Sequence, residues 1–335
     1  MSLFLSPDSE GKFPVSLITG FLGSGKTTLL NRLLRHPAMA RTAVVINEFG
    51  DVALDQHFVE KTDGDVVVMA NGCLCCSLNE DLEGVVGTLF AKREAGDIPE
   101  FDRLVVETTG LADPAPIMQL LIASPLFARS FRLDAVVATV DAVHGMRTLD
   151  EHEEAVKQAA IADRIVITKS DLADAAPLEA RLAALNPGAP IFHAVMGEID
   201  PAVLFGAGEA ALRDPAKWLG PIAHLHHHGR DEIESFCLRT NAALDWREFQ
   251  HWLTRLKVRE ADHLLRVKGL VKVAGEDGPI VIHGVHHVFH PPVELPRWPD
   301  ADHTTRIVVI ARGLDRTRVE KEWAEFIAPA RAGAA

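Results

Sequence analysis

The chain has 335 residues, a length that corresponds to roughly two domains of about 150 residues. Its composition, 47% hydrophobic and 24% charged with 24 glycines and 19 prolines, excludes collagen, long disorder and a coiled coil. Lys and Arg number 34 against 47 Asp and Glu, and the net charge of −13 makes nucleic acid and anionic membrane surfaces poor partners.

Neither a membrane span nor a secretion signal is predicted. The sequence contains no run of 18 apolar residues, so nothing is expected to cross a bilayer. The segment MSLFLSPDSEGKF has neither a basic start nor a long apolar stretch, which excludes a secretory signal and makes the cytoplasm the expected compartment.

The first two hundred residues alternate short β-branched runs with helix-spaced segments such as Gly25–Arg35, Leu78–Arg93 and Ala175–Leu185. Continuous apolar runs separated by helices are typical of strands buried on both faces of a parallel sheet. We therefore expect an α/β fold, a doubly wound and mainly parallel sheet of the P-loop NTPase type over residues 1–205. The predicted strands are Val15–Thr19, Thr42–Asn47, Asp65–Ala70, Arg103–Glu107, Leu133–Val140, Arg164–Thr168 and Pro190–Ala194.

Residues 206–230 lack this alternation of strands and helices, and their sequence predicts a histidine-containing linker. Beyond it, strands without alternating crossovers predict a smaller α+β domain over 231–328, and residues 329–335 predict a frayed tail. Its predicted helices are Asp245–Val258 and Arg316–Ile327, and its predicted strands are Glu234–Thr240, His263–Val273, Pro279–Val285 and Thr304–Ala311.

Residues 20–27, GFLGSGKT, match the phosphate-loop pattern Gly-x4-Gly-Lys-Ser/Thr between a predicted strand and a predicted helix. Glycines let backbone N–H groups turn toward phosphates, and the helix N-terminus favours negative charge. In this arrangement Lys26 reaches the β and γ phosphates and the Thr27 hydroxyl binds Mg²⁺. The predicted nucleotide-binding residues of the loop are Gly20, Gly23, Ser24, Gly25, Lys26, Thr27 and Thr28.

A carboxylate for Mg²⁺ or its water is expected at a strand end. Glu107 ends the apolar run LVVE and precedes Gly110, whose backbone is expected to approach a γ-phosphate. Asp141, at the end of LDAVVATVD, is the rival candidate. The alternative for Glu107 is a surface carboxylate that begins a helix.

Thr168, Lys169 and Asp171 lie in TKSD at another strand end and resemble the Asn-Lys-x-Asp pattern that reads guanine in GTPases. In that pattern the Asp accepts hydrogen bonds from N1–H and the 2-amino group, which adenine cannot supply. Thr168 replaces the Asn. The alternative is that Asp171 is the N-cap of the following helix.

Three of the four cysteines, Cys73, Cys75 and Cys76, lie within four residues. Such a cluster in a reducing compartment favours a soft metal ion such as Zn²⁺ or Cu(I). Three thiolates leave one position of a tetrahedral ion open, which suits transfer of the ion. The alternatives are small buried side chains and a redox disulfide. The isolated Cys237 is predicted to lie in the core.

Two further groups are candidates for metal or catalytic roles. Glu48, in NEFGD after the second predicted strand, is expected at the same sheet edge, as a ligand or as the group that orients water. His226 and His228, in the linker, are expected either to capture metal loosely or to be solvated polar residues. The histidines around position 286 and Trp246, Trp252 and Trp323 are predicted to be mainly structural.

The motifs GFLGSGKTT, NEFG, GCLCC, ETTGLADP and TKSD, with RVKGLVKV and HGVHHVFHP in the second half, resemble the CobW-type GTPases. These are metallochaperones related to GTPases that deliver nickel to hydrogenase and urease, and the likeness runs from about Pro14 to Ile327. The chain is most similar to the zinc-regulated GTPase metalloprotein activators. The resemblance implies that 20–28 and 168–171 hold GTP, that the CxCC cysteines hold zinc, and that hydrolysis accompanies transfer to a client metalloprotein.

The function expected is therefore a GTP-hydrolysing zinc metallochaperone with GTP, Mg²⁺ and Zn²⁺ as ligands. Three alternatives stay open: a cobalt insertion factor of the same family (for cobalamin synthesis or nitrile hydratase), a nucleotide-regulated metal buffer, and a small-molecule kinase. The kinase does not explain the three clustered thiols. A homodimer is compatible with these features.

Overall fold

The computed structural model describes residues 11–47, 67–71, 78–206 and 233–328. The chain divides into two compact units, and the described residues are 11–47, 67–71 and 78–206 in the first and 233–328 in the second. The predicted linker lies almost entirely outside the described residues, so the proposed domain boundaries remain predictions.

The first unit is built on a seven-stranded sheet with the strand order β3-β2-β4-β1-β5-β6-β7. Every neighbouring pair is parallel. Parallel neighbours require crossover connections, and helices lie in the connections that the structure describes. This arrangement confirms the predicted doubly wound α/β fold. The strands are β1 Phe13–Gly20, β2 Thr42–Asn47, β3 Val67–Asn71, β4 Arg103–Glu107, β5 Phe131–Asp141, β6 Arg164–Thr168 and β7 Ile191–Ala194.

Helices flank this sheet, and four of the described ones carry a proline in their first or second position, where its fixed φ suits the first helical turn. The described helices of this unit are α1 Lys26–Leu33, α2 Leu78–Ala95, α3 Ala115–Ala123, α4 Pro125–Ser130, α5 Gly145–Glu151, α6 Glu153–Ile161, α7 Ala176–Leu185 and α8 Pro201–Leu204, with a 3-10 turn at Pro37–Met39. Leu29 and Leu33 of α1 pack with Ile18, Val44 and Val105 of the central strands. This packing fixes α1, and with it the turn that leads into it.

Over residues 233–328 the second unit forms a six-stranded antiparallel sheet with two helices. An aspartate caps each helix: Asp245 accepts from Glu248 N, and Asp315 accepts from Arg318 N. The combination of an antiparallel sheet with separate helices confirms the predicted α+β class. The elements are β8 Ile233–Thr240, α9 Trp246–Arg259, β9 Leu264–Val271, β10 Ile280–Val285, β11 Val288–Phe289, β12 Val293–Glu294, β13 Thr305–Arg312 and α10 Arg316–Ile327.

The core of the second unit corrects one sequence prediction. Phe236 and Leu238 of β8 belong to the apolar cluster that also contains Trp252 and Trp323. Successive side chains of a strand point to opposite faces, so Cys237 lies on the other face and is half-buried. Its predicted place in the core was wrong, because the apolar alternation of the strand falls on its neighbours.

None of the helices in the described ranges combines the length and apolar character that crossing a membrane requires.

Candidate functional site

The predicted phosphate loop is a tight turn between β1 and α1. Gly25 is the N-cap of α1 and has φ 91° and ψ 17°, a left-handed conformation that glycine adopts without steric cost. The Ser24 hydroxyl is 2.6 Å from the Thr139 hydroxyl of β5, and Ser24 N donates to Phe21 O at 3.1 Å. These contacts hold the loop against the centre of the sheet.

Lys26 is nearly buried, with 8% of its surface exposed. Its Nζ donates to Gly20 O at 2.8 Å and to Phe21 O at 3.1 Å. The loop therefore wraps around the ammonium group, which adds a positive charge to the favourable field of the α1 N-terminus.

Thr27 and Glu107 lie together at the mouth of the loop. The Thr27 hydroxyl donates to Glu107 Oε1 at 2.7 Å, and Glu107 is only 4% exposed at the end of β4. A hydroxyl and a carboxylate are the hard oxygen donors that Mg²⁺ prefers, so the residues present fit that ion. The burial of Glu107 argues against the alternative of a surface carboxylate at a helix start.

Asp141, the rival carboxylate, has a different set of partners. Its Oδ2 accepts from Lys169 Nζ at 2.5 Å, and its Oδ1 accepts from Val143 N at 2.7 Å. Burial raises the pKa of Asp141, but the bonds from Lys169 and Val143 outweigh it and hold that pKa below the ordinary value of 3.8. The ion pair is therefore present at neutral pH and is lost only when acid protonates Asp141.

The TKSD segment is tied to the phosphate loop by its first two residues. Thr168 Oγ1 donates to Ser24 O at 2.7 Å, and Lys169 Nζ donates to Gly23 O at 2.9 Å. Lys169 has a φ of 54°, which turns the chain sharply after β6. The hydroxyl of Thr168 thus bonds the loop backbone from the position where the GTPase pattern has an asparagine.

Asp171 is exposed and is not a helix cap. Helix α7 begins at Ala176, and Asp174, not Asp171, accepts from the Ala176 N–H at 3.0 Å. The structure thus removes the capping alternative and leaves the Asp171 carboxylate accessible to a ligand.

The loop that follows β4 packs directly on the phosphate loop. A Cβ at Gly110 would lie 2.6 Å from Leu22 N, which is too close for any residue other than glycine. Gly110 is among the residues predicted from the sequence, whereas Gln158 of α6, whose side chain bonds this loop, is not. An isolated glutamine in the otherwise apolar end of that helix was the available indication.

Six predicted site residues lie outside the described residues: Glu48, Cys73, Cys75, Cys76, His226 and His228. The strand that precedes the cysteines is described and ends at Asn71. The predictions about these six residues therefore stay predictions.

His283 and His290 of the second unit pack against each other. The rings of His283 and His290 stack with centroids 4.7 Å apart. Burial, with the charges of Arg266, His290 and Lys268, holds the pKa of His283 well below its ordinary value of 6.5. No group of three or more potential ligands is arranged for a metal within the ranges that the structure describes.

Comparison with known proteins identifies the relatives of this chain. Residues 14–193 match the nucleotide-binding domain of the CobW/HypB/UreG family, and residues 233–327 match the C-terminal domain of the cobalamin synthesis protein CobW.

The chain belongs to the CobW/HypB/UreG family.

Among its relatives in this family is the zinc chaperone YjiA of Escherichia coli, 34% identical over 88% of this chain and 93% of YjiA. The zinc-regulated GTPase metalloprotein activator 1 of Saccharomyces cerevisiae is 28% identical over 92% of this chain and 82% of its own.

Solved structures of YjiA show the same CobW-type architecture. The Zn(II)-bound YjiA GTPase superimposes with a TM-score of 0.77 at 30% identity, covering 94% of this chain and 99% of that chain. A triple mutant of YjiA, with one glutamate and two cysteines replaced by alanine, is also Zn(II)-bound and gives a TM-score of 0.78.

Thr168→Val is expected to weaken the attachment of the phosphate loop. Valine has the same shape but cannot donate to Ser24 O, so we expect a loss of about 1–2 kcal/mol in unfolding free energy. Denaturant unfolding of the nucleotide-free protein measures it. Thr88→Val is the control, because Thr88 Oγ1 donates to Gly84 O within the exposed face of α2, away from the phosphate loop's own contacts. Equal effects in the two variants would contradict the assigned contact.

Proposed function

We propose that this protein is a GTP-hydrolysing zinc chaperone, which holds Zn²⁺ through its CxCC cysteines and passes it to a client metalloprotein. The observation that carries the proposal is the contact between Thr27 and Glu107 at the mouth of a complete phosphate loop. The chain that makes this contact aligns along most of its length with a zinc chaperone.

The described residues support the nucleotide half of this proposal. Lys26 and the N-terminus of α1 would stabilise charge on the phosphates, which is the main requirement of phosphoryl transfer. Thr27 and Glu107 would hold Mg²⁺, which neutralises developing charge when bound. Asp171 would accept hydrogen bonds from a guanine edge, while Thr168 and Lys169 keep the base-reading segment fixed to the loop.

The metal half rests on ligand chemistry and on the relatives. Cys73, Cys75 and Cys76 supply three thiolates, which select Zn²⁺ over Mg²⁺ and leave a position for an incoming ligand. The two relatives named above are described as a zinc chaperone and a zinc-regulated GTPase. Zinc is therefore the cargo we propose, and a client with a stronger thiolate or imidazole site is the proposed acceptor.

The sheet order supports a coupling between the proposed nucleotide site and the proposed metal site. Strand β3, after which the cysteines follow in sequence, is the second neighbour of β4 and the third neighbour of β1. At about 4.8 Å per strand, the ends of β3 and β1 lie about 14 Å apart. Because all these strands are parallel, their carboxyl ends share one edge, so a change of nucleotide is close enough to affect the metal loop.

Nucleotide is expected to change zinc affinity in this protein. We expect the dissociation constant for Zn²⁺ to differ at least about fivefold between the complexes with a hydrolysis-resistant GTP analogue and with GDP, the lower end of typical allosteric coupling. Chelator competition measures it. Linkage requires the same factor in the reverse experiment, nucleotide affinity with and without Zn²⁺. Identical zinc affinity in both nucleotide states would refute the delivery mechanism.

A further inference from the structure

Gln158 is a buried polar residue that the proposed chemistry does not use. It lies in α6 with 1% of its surface exposed. Its Nε2 donates to Gly110 O at 3.2 Å and to Ala112 O at 3.0 Å. Both amide hydrogens are thus committed to the loop that follows Glu107. The reverse orientation of the amide would set its oxygen against two carbonyl oxygens, so these acceptors fix which way the side chain points.

The same glutamine carries an energetic cost that an apolar residue would avoid. Its Oε1 is buried and accepts no hydrogen bond from any group in the described ranges. A buried acceptor without a donor is unfavourable, and leucine or methionine at the same helix position would avoid that cost but would leave Gly110 O and Ala112 O without these donors. Such local conflicts are concentrated at functional sites, which points to a role for the amide beyond the stability of α6.

The loop held by Gln158 is already positioned against the phosphate loop. Thr108, at its start, donates through Oγ1 to Thr19 Oγ1 at 2.9 Å and through N to Ile18 O at 3.0 Å. Gly110 lies against Leu22. Gln158 therefore completes a set of bonds that hold the backbone of Gly110 beside the place where a terminal phosphate would lie.

Helix α6 also reaches the phosphate loop by a second contact. His152, the residue before its first turn, stacks on Phe21 with ring centroids 4.3 Å apart and an interplanar angle of 22°. Gln158 and the phosphate loop line one cavity of about 120 Å³, together with the end of β5 and with α5. One helix thus touches both the loop that cradles the nucleotide and the loop that faces its terminal phosphate.

We propose that Gln158 is a positioning residue that preorganises Gly110 for the γ-phosphate, so that this protein distinguishes GTP from GDP through α6. The proposal rests on the proposed GTPase function and names the part that registers the nucleotide state. GDP lacks the group that Gly110 would meet. Loss of the two amide donors should therefore weaken GTP binding and leave GDP binding unchanged.

Gln158→Met tests this, because methionine keeps the length and shape of the side chain and removes both donors. Two neutral hydrogen bonds predict a loss of about tenfold or more in affinity for a hydrolysis-resistant GTP analogue, with GDP affinity within about twofold of the wild type. Fluorescent-nucleotide titrations give both constants. An unchanged ratio of the two affinities, or an equal fall in both, overturns the proposal, and so does tighter binding of the analogue.

Asn186→Leu is the matched control. Asn186 is also a buried amide with 1% exposure, and its Nδ2 donates to Ala159 O, Ala160 O and Ala162 O at the C-terminal end of the same helix. Loss of this amide should lower the free energy of unfolding without changing the ratio of the affinities for the GTP analogue and for GDP. If both variants changed the ratio of the two affinities equally, the effect would come from a general destabilisation of α6, which would contradict the proposal.

The wild-type protein provides an independent readout if Gln158→Met does not fold. Hydrogen exchange of peptides covering 108–114 and 153–161 should slow together with the GTP analogue and not with GDP; slowing confined to 108–114 overturns the proposal. If the wild type binds no GTP, the proposed function fails and this inference with it. If it distinguishes the nucleotides and Gln158→Met does so equally well, only the inference fails.

Discussion

Replacing Lys26 with alanine is expected to lower the rate of GTP hydrolysis about 10²–10³-fold, the usual cost of removing one group that stabilises transition-state charge. The ammonium is held by Gly20 O and Phe21 O and is 8% exposed. It therefore needs little rearrangement to act on the phosphates. Phosphate release at saturating GTP measures the chemical step, and a nucleotide titration separates it from weaker binding.

Lys92→Ala is the control for this experiment. Lys92 is an exposed lysine in the last turn of α2, so it matches the charge change at a site remote from the phosphate loop. We expect a rate within about twofold of the wild type, as for most surface substitutions. Phosphate release from Lys26→Ala at the wild-type rate would show that the proposed phosphate loop does not catalyse hydrolysis and would favour a metal buffer that uses nucleotide as a structural ligand.

Cys75→Ala is expected to lower the affinity for Zn²⁺ by more than about 100-fold. Removal of an outer-shell partner of a metal site already costs about 10–100-fold, and a direct thiolate ligand contributes more. Competition with a chelator of known affinity measures the tightest site. That choice matters because the YjiA variant lacking two cysteines and a glutamate is still Zn(II)-bound, so total zinc content is a poor measure.

Cys237→Ser controls for the loss of a thiol as such. Burial raises the pKa of Cys237 to about 11, so its thiol stays protonated at neutral pH and is a poor metal ligand. Zinc affinity should be unchanged in this variant. Equal affinities of Cys75→Ala and the wild type would remove the CxCC motif from the proposal. Acid should weaken binding at the CxCC site, because metal must displace thiol protons.

The sequence predicted the sheet well because the strands of a parallel sheet are buried on both faces. Arg103–Glu107 and Arg164–Thr168 begin and end where the apolar runs predicted. The sequence predicted the helix boundaries less well, because these depend on the backbone conformation of single residues. Helices α5 and α6 are separated by His152, whose extended φ of −132° follows from no residue preference that the sequence displays.

The strand ends indicate which residues gather at the edge of the candidate site, while the roles proposed for those residues stay predictions. Glu107 and Asp141 both end buried strands, and the sequence favours Glu107 because Gly110 follows it; Glu107 is the one that contacts Thr27. The contacts of Gln158 could not be foreseen, because they join residues 46 and 48 positions apart in the chain. The misplacement of Cys237 was avoidable, since Phe236 and Leu238 already marked the inward face of β8.

The Thr27 hydroxyl lies 2.7 Å from Glu107 Oε1, and Glu107 is almost completely enclosed. If these two residues hold a divalent cation, as proposed, the hydrogen bond between them leaves little rotational freedom to be lost on binding. The entropy of ordering them was lost during folding, so capture of the ion should depend chiefly on how readily the ion sheds water.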